Sequence, residues 1–484
     1  MIVGTSKGSV RGRRCGSGHA FSAIPYAAPP TARFAAPQPH PGWDGVRDAT
    51  RPGPTAPMPE HRLGRLDMRP FLGPGWVRGD DHLTVNVWTP DAATRGLPVM
   101  VFVHGGGFVA GSARGSLYDG ESFARDGVVL VTLNYRLGVP GWLSVPGRPD
   151  NRGLLDVLMA LQWVQEEISA FGGDPDNVTL FGQSAGAMIT AAALADPAAR
   201  GLFRRAISQS GSGTGSFAPA QAELLSSALA RDLGVRRDDI PEIPDERLLA
   251  ALGALAPVDP RVHGRADPFL GISRLGPVLE RPPAEVLATG AGCDVDLIVG
   301  TTEEEANLYL ADQRSTMDDV RVVAAQAHPD PDRLIAAYRE QRPGASAGEL
   351  RSAIWSDGVF GAGSRSLADA HSAHPAATYR YEFAWPSPAL EGQLGASHGV
   401  ELPFVFDRAH DPELHGPEKL LGEPEAPAEL ARAMHSAWIS FATNGDPGWP
   451  QHVPPQRRTM RFAEESAVVN DPRPVERAAW YVPS

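Results

Sequence analysis

Apolar residues fall along this chain in two rhythms. The first is the short, near-continuous run. Leu97-Pro98-Val99-Met100-Val101-Phe102-Val103-His104 is one. Val128 to Leu133, Asn177 to Phe181, Arg204 to Ser210, Val295 to Gly300 and Thr378 to Phe383 are others. Runs of this length, rich in Val, Ile and Phe, predict strands buried on both faces. The second rhythm is helical. Leu154, Val157, Leu158, Leu161, Val164 and Ile168 share one face of a helix across 153–171. Residues 187–194 and 427–444 predict two more helices. Strands alternating with helices imply an α/β protein whose central, mostly parallel sheet is flanked by helices. Residues 2–12 and 19–24 predict an opening β-hairpin. The Pro-, Gly- and Arg-rich stretch 25–80 predicts a long irregular surface segment. Val85 to Thr89 predicts a strand that Pro90 ends. The Ala-rich stretches 217–290 and 317–375 predict helical insertions capping the sheet. With no repeat and no linker, residues 1–484 read as a single domain.

The run Asn177-Val178-Thr179-Leu180-Phe181 feeds directly into Gly182-Gln183-Ser184-Ala185-Gly186, and a helix follows. Strand, Gly-x-Ser-x-Gly, helix is the context of a nucleophile elbow. So tight a turn demands small residues around the Ser, and Gly182, Ala185 and Gly186 supply them. The hydroxyl then stands clear of the backbone at the positive end of a helix, where a developing negative charge is favoured. The bare pattern is weak evidence in a chain with 52 glycines. Its context gives it weight.

A second strand ends in His104-Gly105-Gly106-Gly107-Phe108. Glycines let backbone N–H groups approach a substrate oxygen, as in the HGGG oxyanion motif of esterases and lipases. The expected donors are the amides of Gly106, Gly107 and Ala185. A general base belongs late in the chain, after an acid. His398, in Gly395-Ala396-Ser397-His398-Gly399, lies on a small-residue loop before an apolar run. His371, His374, His410 and His415 sit in polar stretches and read as solvated. The acid belongs between Ser184 and His398, beyond a strand. Glu303, Glu304 and Glu305 all fit, and composition does not choose among them; two of the three read as a solvated face.

Composition narrows the function classes. A formal net charge of -13, without any Lys- or Arg-rich block, argues against a nucleic-acid partner. No run is long and apolar enough to span a membrane. The presence of only two cysteines, Cys15 and Cys293, argues against a disulfide framework. The N-terminus has no charged-then-apolar leader. The expectation is a cytoplasmic protein, monomer or homodimer, acting on a small molecule.

With these motifs in order, the chain resembles the type-B carboxylesterase and cholinesterase family, similar to bacterial p-nitrobenzyl esterases. The resemblance is nearly full-length. It runs through Phe21 to Ala27, Arg33-Phe34, Asp80 to Trp88, His104 to Phe108 and Asn134 to Gly138. It continues through the elbow, Ile207 to Gly211, Gly300 to Ala306 and His398 to Phe406, and ends at Gly445-Asp446-Pro447. It implies the α/β-hydrolase fold with helical cap insertions and a Ser184–His398–Glu305 triad. It also implies that Ser210 supports the Glu–His pair, with Gln183 and Glu401 nearby. Arg33 with Asp80, and Arg136 with Asp156, are the implied structural ion pairs. Three departures stand out. Gln183 replaces the family's Glu before the nucleophile, His82 replaces a loop cysteine, and Ala306 follows the acid instead of Gly.

The expected activity is serine-dependent hydrolysis of carboxylic esters through an acyl-enzyme. That chemistry needs neither metal nor organic cofactor. An acyltransferase or cyclising enzyme would use the same acyl-enzyme. A non-catalytic, neuroligin-like binding protein is the third reading, and the full set Ser184, His398 and Glu305 argues against it.

Overall fold

A computed structural model describes residues 1–481 apart from 17, 30, 31, 61, 62 and 312. Its opening strands β1 (Ile2–Thr5) and β2 (Gly8–Arg11) pair with each other. β3 (Arg13–Cys15) and β4 (Gly18–Pro25) pair separately and join the main sheet. The expected single hairpin over 2–12 and 19–24 is therefore two hairpins in two sheets. β5 (Val46–Asp48) completes the small sheet, in the order β1-β2-β5.

The main sheet adds β6 (Thr84–Thr89), β7 (Leu97–Val103), β8 (Val129–Leu133), β9 (Gly173–Gln183), β10 (Arg205–Gln209), β11 (Asp296–Thr302), β12 (Thr378–Phe383), β13 (Arg458–Phe462) and β14 (Ala467–Asn470). Its order is β14-β13-β12-β11-β10-β9-β7-β8-β6-β4-β3. From β8 to β13 every ladder is parallel; the pairs at both edges are antiparallel.

The continuous apolar runs follow from this burial. On β7, Val99, Val101 and Val103 join one core, while Met100 and Phe102 join the core on the opposite face. The helices Arg152–Glu167 and Ala185–Ala195 cover the first face, and Ala428–Asn444 covers the second. Three helices within 317–356 pack a satellite core around Tyr338.

The stretch 25–80 is irregular but not superficial. Tyr26, Phe34, Met58 and Phe71 are buried in it. Among the expected ion pairs, Arg136 and Asp156 form a buried two-point bridge at 2.6 and 2.8 Å. Arg33 instead pairs with Asp245 and caps the carbonyls of Pro241 and Ile243. Asp80 is exposed. Both cysteines are free.

Candidate active site

The site gathers at the carboxyl ends of four parallel strands, where ligands bind in open α/β sheets. β9 ends at Ser184, β7 at the glycine run, β11 just before Glu305, and β12 before the loop that carries His398.

Ser184 adopts φ 59° and ψ -124°, a conformation that side chains rarely occupy. Hydrogen bonds on both sides fix it. Its N–H donates to the Gln209 carbonyl at 2.9 Å, and its carbonyl accepts from Met188 N at 3.0 Å. The elbow admits only small neighbours. A Cβ on Gly182 would lie 2.4 Å from the Gly186 oxygen, and one on Gly186 would lie 2.0 Å from the Val103 oxygen.

The loop of Glu303, Glu304 and Glu305 resolves into three environments. Glu303 bridges Arg461 and Arg473 at 2.8 and 3.3 Å. Glu304 accepts from the Ala396 amide at 2.9 Å and so ties its loop to the histidine loop. Glu305, 1% exposed, reaches His398 Nδ1 at 2.5 Å with one oxygen and accepts from Thr302 N at 2.8 Å with the other. The two carboxylates expected in solvent are thus half-buried and partnered.

His398 is buried, and its remaining ring nitrogen, Nε2, lies 3.2 Å from the Gln183 side-chain nitrogen. A proton on Nδ1 facing Glu305 leaves Nε2 as the acceptor. Phe360 stacks on the ring. Sequence reasoning missed Phe360 because its turn interrupts a segment read as ordinary helix.

Gly106 sits at φ 119°, where an added Cβ would lie 2.1 Å from the Ala110 oxygen. The amides of Gly106, Gly107 and Ala185 have no protein acceptor among the described residues. The Ser273 hydroxyl lies 2.9 Å from the Gly107 carbonyl and 2.7 Å from that of Leu275, and so ties the end of the glycine run to the segment around Leu275. Sequence reasoning missed Ser273 as well. His104 is a core residue. It stacks on Tyr135, and burial pushes its pKa down to about 4.

The expected supporting residues fare differently. The Ser210 hydroxyl is buried without a hydrogen-bond partner among the described residues, and no hydrogen bond among them ties it to the Glu–His pair. Glu401 is fully buried, and its carboxyl has only the Gln209 side chain and neighbouring backbone groups for company, none in good hydrogen-bond geometry among the described residues. Burial, and then repulsion from Glu305, push its carboxyl up to about 8. Among the histidines read as solvated, His410 is exposed. His371 is not: it is fully buried, 2.7 Å from the Thr378 hydroxyl.

Ser184, His398 and Gln183 open onto one cavity of ≈ 310 Å³. Met68, Phe71, Val109, Ile272, Leu308 and Trp355 line it among others, so much of its wall is apolar.

A sequence model of the carboxylesterase family matches residues 1–473. The chain belongs to the carboxylesterase family. It is 35% identical to the para-nitrobenzyl esterase of Bacillus subtilis, over 99% of this chain and 98% of that protein. The phenmedipham hydrolase of Pseudarthrobacter oxydans is 33% identical, covering 97% and 96%. A solved PNB esterase superposes with a TM-score of 0.85 at 33% identity, over the full length of both chains. A Geobacillus stearothermophilus carboxylesterase superposes with the same score at 34% identity, over 99% of this chain and all of that one. The fold is that of an α/β-hydrolase, and the enzyme is a carboxylic ester hydrolase. Among the described residues no helix is long and apolar enough to cross a membrane.

Proposed function

We propose that Ser184 is the nucleophile, His398 the general base and Glu305 the acid of a carboxylesterase acting on neutral esters with apolar groups. The observation that carries this reading is the Glu305–His398 contact at 2.5 Å beside a strained Ser184 in the same apolar cavity. Ser184 Oγ attacks the ester carbonyl carbon while His398 Nε2 takes its proton. Glu305 fixes the Nδ1–H tautomer and stabilises the imidazolium. The free amides of Gly106, Gly107 and Ala185 receive the oxyanion. Each such donor contributes about 3–4 kcal/mol in comparable sites. The imidazolium returns its proton to the departing alcohol, and water then cleaves the acyl-enzyme by the same sequence. No metal or organic cofactor enters these steps. Among its described lining residues the cavity has no Lys or Arg and, with Gln183 beside Ser184, no carboxylate. This favours uncharged substrates.

The test pairs a fluorophosphonate label with a hydrolysis screen of p-nitrophenyl esters of increasing acyl length. The reading expects label on Ser184 and measurable turnover. Turnover with an unlabelled Ser184 would overturn the assignment.

A further inference from the structure

Both ring nitrogens of His398 are engaged. Nδ1 faces Glu305 at 2.5 Å, and Nε2 lies 3.2 Å from the Gln183 side-chain nitrogen. With the proton on Nδ1, Nε2 offers a single lone pair in the ring plane. An amide oxygen facing that lone pair would be repelled, so the Gln183 N–H group donates to it. Ser184 needs the same lone pair to lose its proton. Among the described residues the Ser184 hydroxyl makes no hydrogen bond, to His398 or to any other group. Gln183 and Ser184, adjacent in sequence, therefore compete for one acceptor.

The imidazole cannot settle this competition by turning. Glu305 holds one edge, Phe360 covers a face, and the Tyr309 ring stands beside it with centroids 6.1 Å apart. The Gln183 amide is the movable partner. Its oxygen makes no hydrogen bond among the described residues, so one neutral bond holds it on Nε2. Glycines flank it. A Cβ on Gly105 would lie 2.8 Å from the Gln183 oxygen, and one on Gly399 would lie 3.9 Å from its nitrogen. Gln183 also lines the catalytic cavity. Nε2 is the atom that returns a proton to the departing alcohol. The amide thus stands where the alcohol group of the ester must lie.

We propose that Gln183 gates the base and thereby selects esters with bulky alcohol groups. This deepens the reading given above and rests on its roles for Ser184 and His398. In the empty site the amide occupies Nε2. A bulky alcohol group fills the space of the amide and displaces it, and the Ser184 hydroxyl then donates to Nε2. A methyl group is too small to displace the amide. Ser184 then has to compete for the base, and acylation slows by about the strength of one neutral hydrogen bond.

The test compares kcat/KM for methyl butyrate and benzyl butyrate in the wild type and in Gln183→Met. Methionine keeps the length of the side chain and removes the donor. Methyl butyrate should gain about three- to ten-fold, the range of one neutral hydrogen bond, and benzyl butyrate less than about two-fold. A selective gain is a readout that damage to the site does not produce. Gln183→Leu repeats the comparison should the Met variant not fold. A crystal structure of the unliganded wild type needs no variant. It should show the Gln183 nitrogen on Nε2 and Ser184 Oγ beyond hydrogen-bonding distance. No gain for methyl butyrate, an equal change for both esters, or Ser184 Oγ on Nε2 with Gln183 turned away would overturn the proposal. Wild-type protein is treated with a fluorophosphonate in parallel. An unlabelled Ser184 removes the triad reading and this proposal with it. A labelled Ser184 without the selective gain removes this proposal alone.

Discussion

Phe360 lies nearly flat on His398, with ring centroids 4.5 Å apart and 28° between the planes. Phe360 stands in the π-helical turn Asp357–Gly361, which Asp357 anchors to Arg365 and Tyr338. The imidazole is thus gripped at Nδ1 by Glu305 and on one face by a buried ring. An imidazole so held, in the role of base proposed for it, has little freedom to turn away from Ser184. Phe360→Ala should lower kcat by between about ten- and a hundred-fold with little change in KM, because geometry is lost at the base. It should also cost about 3–5 kcal/mol of stability as a cavity opens in the core. Ester kinetics and urea unfolding on the same preparation check both. An unchanged kcat would mean that the stacking only fills space.

Ser184→Ala should fold normally and lose activity on the order of a million-fold, as when the nucleophile of a comparable serine hydrolase is removed. Assays on a preparation free of host esterases read this directly. Retained turnover would point to another nucleophile.

The three adjacent carboxylates should separate cleanly. Glu305→Gln should cripple kcat because the base loses its tautomer and its counter-charge. Glu304→Gln leaves an amide oxygen to accept from Ala396 and should be mild. Glu303→Gln breaks ion pairs with Arg461 and Arg473 and should act mainly on stability. If Glu304→Gln proves the crippling substitution, the acid is misassigned.

This separation marks where sequence legibility ends. The elbow and the glycine run are local devices, since the residues that force the turn adjoin the residue that it presents. Ser184, Gly106, Gly107 and Ala185 could therefore be named from the chain alone. The long-range partners of Glu303, Glu304 and Glu305 lie 92 to 170 residues away in sequence, one of them, Arg461, on β13. Only the resemblance to a family chose among the three. Phe360 gave no signal, because a single π-turn shifts the helical period over too few residues to show in the apolar pattern. Arg33 was placed on the wrong partner for the same reason. An Arg needs only an acid within reach, and Asp245, 212 residues away in sequence, takes the place expected of Asp80.

Glu401 should make stability fall as pH rises. Its carboxyl is pushed up to about 8 in the fold, above the ~4.3 of an unfolded Glu. Between those values the folded state binds the extra proton, so stability declines with rising pH. The contribution is fully present below about 4.3 and is lost as pH passes 8. Glu401→Gln mimics the neutral acid. It should melt like the wild type at pH 5 and above it at pH 9. Parallel melting curves at the two pH values would mean that the carboxyl ionises freely in the fold.

The same neutral Glu401 bears on which esters the enzyme prefers. A cationic choline ester is drawn to a site by negative potential near the nucleophile. Gln183, whose amide nitrogen lies 3.2 Å from His398 Nε2, keeps the size of a Glu without its charge. Glu401 is the nearby carboxylate that could replace it only in its charged form. With its carboxyl pushed up to about 8, it is mostly protonated at neutral pH and contributes little. Glu305 is engaged with His398 and Thr302. The enzyme should therefore favour an uncharged thioester over butyrylthiocholine of equal acyl length. Gln183→Glu should move the ratio of kcat/KM values toward the choline ester by about ten-fold, the effect of roughly 1–2 kcal/mol from one charge in a shielded pocket. The variant should move further toward the choline ester at pH 9 than at pH 7, as Glu401 ionises and adds its charge. A clear wild-type preference for the choline ester would show that another group supplies the field, and the argument from Gln183 would fall.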